Sequence, residues 1–268
     1  MQPVKVLCIG GSDSSAGAGI QADLKAVSAC GCYALSVITA VTAQNTFGVQ
    51  GIFEISKEFV AKQMEVVLDD IGADAVKTGM LLTAGIVGAV AGMIREYNME
   101  KLVVDPVMLA KGGRNLMLAE ARQALVKKLF PLALVVTPNV PEAEKLAGME
   151  IKTVAAMKKA AGIIHKFGVQ NVLIKGGHLP DNKQKLVIDI LFDGKNYSEY
   201  SLPRIDLPES HGTGCTYASA LAAGLALRKD VAVAAGDAKA IVVSAIRNSV
   251  SLGAGHVSVN ALADKLQK

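Results

Sequence analysis

Short, largely apolar runs recur along the chain at residues 4–9, 35–41, 74–77, 102–104, 134–136 and 172–174. Most lack the polar alternation of a half-exposed strand, so they read as strands buried on both faces. Between them the apolar positions change to helical spacing. Ile20, Leu24 and Val27 share one face, and Ser56 can cap a helix with a stripe of Val60, Met64, Val67 and Ile71. Further helices are predicted over 83–97 and 119–129, over 153–167 with Thr153 as cap, and from the first-turn Pro141. Two runs, 187–192 and 197–202, flank Asp193-Gly194, which predicts a hairpin, and 231–252 predicts one long final helix. Strands alternating with helices imply an α/β fold, a mainly parallel sheet covered by helices on both faces. No internal repeat or linker divides it, so residues 1–268 are expected to form a single domain.

Ligands of such sheets bind beyond the carboxyl ends of the strands. Asp23, Gln44, Met80, Asp105, Asn139, Lys175 and the stretch Gly212-Thr213-Gly214-Cys215 all fall just after a strand or at a helix start, which makes them candidates for one cleft. The last stretch precedes an Ala/Leu-rich helix with Tyr217, Leu221 and Leu225 on one stripe. Its two glycines free the backbone to aim amides at a common point, and a helix N-terminus suits an anion there. The same field would favour the thiolate of Cys215.

Other positions keep two readings. Asp105, at a strand end before proline, and Glu142, in a first helical turn, could hold Mg²⁺ through water and phosphate oxygens. Glu142 equally suits a helix dipole with no metal. Lys175 before two glycines could neutralise phosphates or simply end a strand. Gln44 offers a donor and an acceptor to a heterocycle edge, or is a satisfied turn amide. Met80 reads as core packing. Residues 10–19 form a glycine-bearing loop without the Gly-Lys-Ser/Thr ending of a phosphate loop and without G-x-G-x-x-G spacing, which also disfavours a nicotinamide oxidoreductase. His178 and His211 adjoin glycine loops, and a Cys215–His211 dyad shows no third, orienting group in the sequence. Cys30-Gly31-Cys32 has no second pair to complete a metal site.

Composition changes this picture little. The 268 residues are 51% hydrophobic with no Trp, a globular composition, and the formal net charge is +4. No basic block interleaved with aromatics appears, so nucleic acid is not an expected partner. The apolar windows are too short or interrupted for a membrane span; Asp237, Lys239 and Arg247 break the C-terminal one. With no signal-peptide layout, the four cysteines read as free thiols of a cytoplasmic protein.

Seven segments, in order, resemble the hydroxymethylpyrimidine/phosphomethylpyrimidine kinases of thiamine synthesis. They are the stretch from Gly10 to Lys25, Thr39 to Thr46, Val76 to Leu81, Val104 to Met108, Thr137 to Asn139 with Glu142, Lys175 to His178, and His211 to Thr216. The resemblance implies a ribokinase-like three-layer α/β fold, ATP and Mg²⁺ as cofactors, and a homodimer. It implies that Gln44 bonds an aminopyrimidine, that Met80, Ala18 and Val107 pack its ring, and that Asp23 lies near the hydroxymethyl group. Asp105, Asn139 and Glu142 would serve the Mg²⁺-phosphate region, Lys175 the ATP phosphates, and the Gly212, Thr213, Gly214 and Cys215 amides the transferred phosphoryl group. Where the wider superfamily commonly carries an aspartate base, this chain has Cys215; a thiol lowered by the helix N-terminus could take the proton of the alcohol in the first phosphorylation. Pyridoxal kinases built on this scaffold are the rival. Those with two cysteines place one in the loop after the Asp-Pro-Val-Met strand end, where this chain has Ala110.

Overall fold

The computed structural model describes residues 2–109, 113, 115–179, 185–205 and 210–263. Four expectations fall partly outside them: the loop of Lys111, Gly112 and Arg114, the hydrophilic tip at 181–184, the neighbouring Ala110, and Pro208-Glu209 before the anion loop.

Among the described residues one nine-stranded sheet organises the chain; with strands numbered along the sequence and bounded as given next, its order is β3-β2-β1-β4-β5-β6-β7-β8-β9. The strands are β1 (Lys5–Asp13), β2 (Tyr33–Asn45), β3 (Gly48–Glu54), β4 (Ala75–Thr78), β5 (Leu102–Val104), β6 (Val135–Val136), β7 (Asn171–Ile174), β8 (Leu186–Phe192) and β9 (Tyr197–Pro203). The six from β2 through β7 in this order run parallel; β3 joins one edge antiparallel and the β8–β9 hairpin the other. The sheet is therefore α/β and mostly parallel, as expected. The order in which successive strands are added reverses between β1 and β4, where such sheets open a crevice.

Helices α1 (Gly19–Ala29), α7 (Thr213–Ala226) and α8 (Val231–Arg247) cover one face. Helices α2 (Lys57–Asp70), α3 (Ala84–Glu96), α4 (Ala119–Ala124), α5 (Val140–Ala147) and α6 (Val154–His165) cover the other. The alternation of β1 shows how one strand feeds both layers: Val6 and Cys8 pack toward α1 and α7, Leu7 and Ile9 toward α2 and α3. Ser56, Thr83 and Thr153 each cap a helix by accepting a backbone N–H, as their position suggests.

Several boundaries differ from expectation, each for a local reason. Strand β1 continues through Gly10–Asp13, so half of the expected glycine loop is strand, with an irregular register between Gly10 and Gly11. Strand β2 runs on to Asn45 and pairs with β3, an edge strand the pattern did not announce, so Gln44 lies within a strand and not beyond it. On α2 the buried stripe is Val60, Met64 and Leu68, and Ile71 is exposed beyond the helix end. The 119–129 helix widens after Ala124 into a π turn at Leu125–Leu129. Helix α8 stops at Arg247 because the chain turns back, and Val250 pairs with Ser258 beside the short ladder of β10 (Ser210–His211) and β11 (Val257–Ser258). Helix α7 is buried over residues 216–226, not along one stripe, because it lies between the sheet, α1 and α8.

Candidate active site

A cavity of about 730 Å³ opens at the carboxyl ends of the parallel strands. It is lined by every residue singled out from the sequence: Ala18, Asp23, Gln44, Met80, Asp105, Val107, Asn139, Glu142, Lys175, Gly212, Thr213, Gly214 and Cys215.

The first turn of α7 forms its pivot. Gly212 caps the helix at φ +91°, and a methyl group there would meet the Gly17 carbonyl oxygen at 2.0 Å, so both the backbone angle and the space demand glycine. A methyl group on Gly214 would stand 3.4 Å from Lys175 Nζ and 3.7 Å from Asp105 Oδ2. The amides of an N-terminal turn and a lysine ammonium thus converge, an arrangement suited to phosphate.

Lys175 Nζ donates to Asp105 Oδ1 at 2.7 Å, and Thr137 Oγ1 donates to the same oxygen at 3.0 Å. Burial acts to lower the Lys175 pKa, but the charges of Asp105 and Glu142 outweigh it and hold the ammonium above its ordinary value. Glu142 closes a capping box: its backbone N–H donates to Asn139 Oδ1 at 2.9 Å, and Asn139 N–H donates to Glu142 Oε2 at 2.8 Å. Glu142 is therefore a helix cap that also lines the cavity. Burial pushes its carboxyl up to about 7, opposed by Lys175 and assisted by Asp105.

Four expectations are refined. Cys215 is not acidified by the helix: burial pushes its thiol up to about 11, Lys77 opposes, and Asp23 and Asp105 add to the rise. Desolvation is the largest of these causes. Asp23 is fully buried; Lys77 Nζ donates to both its oxygens at 2.8 Å and Ser219 Oγ to one at 2.7 Å, so its acceptor sites are turned on the protein. Met80 is both core and lining, packed with Ala40 and Leu116 while it faces the cavity. His211 does have an orienting carboxylate: its Nε2 lies 3.0 Å from Asp13 Oδ2, and it also lies 2.8 Å from the Gln44 side-chain amide.

Lys77, Asp13, Asp189 and Lys239 line the cavity and were not singled out. A signal existed for two of them. Lys77 interrupts a strand whose neighbours are all buried, and Lys239 interrupts an apolar helix; a charge in such a place needs a partner. Lys239 finds Asp189 at 2.7 Å, and Asp189 in turn accepts from the Gly176 amide at 2.8 Å. That holds the backbone beside Lys175. Among the described residues no group of three or more His, Cys, Asp and Glu could hold a metal by itself.

Residues 13–260 match the family model described as phosphomethylpyrimidine kinase. The chain is 44% identical over 265 residues to the hydroxymethylpyrimidine/phosphomethylpyrimidine kinase of Bacillus subtilis, covering 99% of this chain and 97% of that one. It is 49% identical over 255 residues to a thiamine biosynthesis bifunctional protein of Geobacter sulfurreducens, covering 95% of this chain but only 51% of the relative, so it spans about half of that longer protein. Among solved structures it superposes on an ADP complex of Bacillus subtilis pyridoxal kinase with a TM-score of 0.90 at 39% identity, over 99% of this chain and 100% of the other. The phosphomethylpyrimidine kinase of Clostridium difficile gives 0.80 at 42% identity, over 91% and 99%. The three-layer sheet, the cavity at its carboxyl edge and these likenesses agree: the fold is ribokinase-like, and the chain belongs to the phosphomethylpyrimidine kinase family.

Proposed function

We propose that the chain uses ATP to phosphorylate 4-amino-5-hydroxymethyl-2-methylpyrimidine to its monophosphate and then to the diphosphate, in thiamine biosynthesis. The observation that carries this reading is one cavity holding a helix N-terminus at Gly214, a lysine–aspartate pair against it, and Gln44 tied to the same loop through His211. Gln44 matches the amidine edge of an aminopyrimidine, which presents a ring acceptor beside an amino donor. Ala18, Met80 and Val107 pack the ring. The Gly212, Thr213, Gly214 and Cys215 amides receive the transferred phosphoryl oxygens, and Lys175 moves from Asp105 to the phosphates of ATP.

Mg²⁺ fits the chemistry of the far wall. Asp105 and Glu142 are hard oxygen donors; burial, with the charge of Asp105 adding to it, keeps Glu142 from ionising easily, and a divalent cation would favour its ionised form. Two carboxylates without a third ligand suit a cation that completes its shell with water and phosphate oxygens. Bound there, Mg²⁺ would neutralise charge on the phosphates. Asn139 fixes Glu142 through the capping box, and its side-chain amine is left to face phosphate. Asp23 supports the hydroxymethyl end from beneath, through Lys77. Cys215 serves as a neutral thiol that shapes the anion hole, since phosphoryl transfer rests on positioning and charge neutralisation.

Residues 1–268 would act as one kinase domain, in the cytoplasm where ATP is at hand. A homodimer is supported by the exposed Phe53 and Phe47 at the β3 edge. No helix among the described residues is long and apolar enough to cross a membrane. Pyridoxal kinase is the second reading, favoured by the higher TM-score to that enzyme. ATP consumption measured separately with the hydroxymethylpyrimidine, its monophosphate and pyridoxal decides: turnover of the first two is expected, and turnover of pyridoxal alone overturns the assignment.

A further inference from the structure

Hydrogen-bond accounting around Asp13 reaches beyond the roles given so far. Every neighbour of its carboxylate is a donor. Ser15 N–H and Oγ–H reach Oδ1 at 2.8 and 2.7 Å, and Gly17 and Ala18 N–H reach Oδ2 at 3.1 and 2.8 Å. Burial acts to raise its pKa, but hydrogen bonding outweighs it and holds the carboxyl below its ordinary value; the four donors of Ser15, Gly17 and Ala18 favour the ionised form whatever His211 does. An ionised carboxylate only accepts, so His211 Nε2, 3.0 Å from Oδ2, must carry the hydrogen.

That fixes the next partner. As placed, Gln44 Nε2 stands 2.8 Å from the same histidine nitrogen, and a half turn of the amide exchanges its nitrogen and oxygen. A nitrogen that donates to Asp13 has no lone pair left for a donor from Gln44, so the amide must be turned to present its carbonyl oxygen, which shares that hydrogen with Asp13. The other end of the amide gives the same answer independently. Thr42 Oγ1 has a single hydrogen, already directed to the Ser12 carbonyl at 3.0 Å, and the Gln44 amide lies 3.2 Å from that hydroxyl. The atom there is satisfied as an NH₂ donating to Thr42, not as a second acceptor.

We propose that Asp13 and His211 are positioning residues that lock the Gln44 amide with Oε1 toward His211 and Nε2 toward Thr42, and that this lock sets which way the substrate ring faces. The proposal rests on the aminopyrimidine reading and deepens it. With the amide so held, the open N–H of Nε2 meets a ring nitrogen on the Thr42 side, and the open lone pair of Oε1 meets an amino group on the His211 side. In a 4-amino-5-hydroxymethylpyrimidine the alcohol is carried on the carbon next to the amino group. It therefore falls on the side where His211 leads into Gly212, Thr213 and Gly214, the anion hole. A reversed amide would turn the ring over and carry the alcohol away. The 4-oxo analogue, with N–H and C=O in place of N and NH₂, meets donor with donor and acceptor with acceptor.

The test compares kcat/KM for 4-amino- and 4-oxo-5-hydroxymethyl-2-methylpyrimidine. His211→Phe keeps a ring against Gly17, where space is tight, but removes the donor; His211→Gln keeps a donor near the Nε2 position. The amino-over-oxo preference is expected to fall at least tenfold in His211→Phe, chiefly through KM, and to stay within about threefold of wild type in His211→Gln. An unchanged preference in His211→Phe, or equal losses on both substrates, overturns the lock. Nitrogen-15 chemical shifts of His211 in the unaltered protein decide the same point without a variant: hydrogen on Nε2 supports the lock, and a bare Nε2 with hydrogen on Nδ1 overturns it. Should wild type fail to phosphorylate the aminopyrimidine at all, the substrate reading falls, and the nitrogen-15 measurement still decides the orientation of the amide.

Discussion

Two lysine–aspartate pairs stand toward the carboxyl edge of the parallel sheet, with nearly equal lengths and opposite characters. Lys77–Asp23 (2.8 Å) is sealed: its side chains are 1% and 0% exposed, and Ser219 fills a further acceptor site of the carboxylate. Lys175–Asp105 (2.7 Å) leaves the lysine side chain 12% exposed to the cavity, and Lys175 and Thr137 share a single oxygen of the aspartate. The second oxygen faces Gly214. A pair closed on all sides is a strut, since any motion would strand a charge in the interior. A pair open on one side lets the lysine turn to a phosphate while the aspartate keeps its hydrogen bond from Thr137.

The sharpest way to break this contrast is to remove each lysine. Lys175→Ala should cost about a thousandfold in kcat/KM, the scale on which a phosphate-facing or oxyanion donor contributes, while stability changes little because Asp105 keeps Thr137 and cavity water. Steady-state kinetics alongside urea unfolding would separate the two effects. Activity retained within tenfold would mean that Lys175 never leaves Asp105.

Lys77→Met should behave the other way. Leaving Asp23 buried and unpaired is expected to cost about 3–5 kcal/mol of folding stability. The double variant Lys77→Met/Asp23→Leu should recover most of it, because an apolar replacement of a buried pair leaves no orphan charge. Urea midpoints of the two single variants and the double close the cycle; additive losses would show that Lys77 is not held by Asp23 at all.

What was legible in the sequence follows the same division. The parallel sheet could be read because strands buried on both faces need continuous apolar runs, and the cleft because such sheets place their loops at one edge. The members that face the cavity, Asp105, Lys175 and Gly212 to Cys215, carry chemistry at strand ends and stood out. The residues that hold them did not. Lys77 and Lys239 were visible as charges in apolar elements, but their partners Asp23 and Asp189 lie 54 and 50 positions away, and sequence distance does not show a pairing made by folding. Asp13 lay in what looked like open loop, because nothing in Gly10-Gly11 signals that the strand continues. The raised thiol of Cys215 was not legible because helix N-terminal position is written in the sequence and burial, the largest cause of the rise, is not.

The smallest effect concerns Glu142, which shares a wall with Lys175 and so tests whether the open pair is part of a charged network. Burial, with Asp105 adding to it and Lys175 opposing it, pushes its carboxyl from 4.5 in the unfolded chain up to about 7. Between those values the folded protein binds the proton that the unfolded chain has released, so raising the pH removes stability across that window. The loss has a slope of at most about 1.4 kcal/mol per pH unit and ends once both states are ionised. Glu142→Gln cannot titrate, so the stability difference between it and wild type should change from pH 4.5 to 7 and then level off, measured as urea midpoints. Adding Mg²⁺ to wild type should flatten the slope by favouring the ionised carboxylate between the cation and Lys175. A difference independent of pH would place Glu142 outside the network, as a helix cap and nothing more.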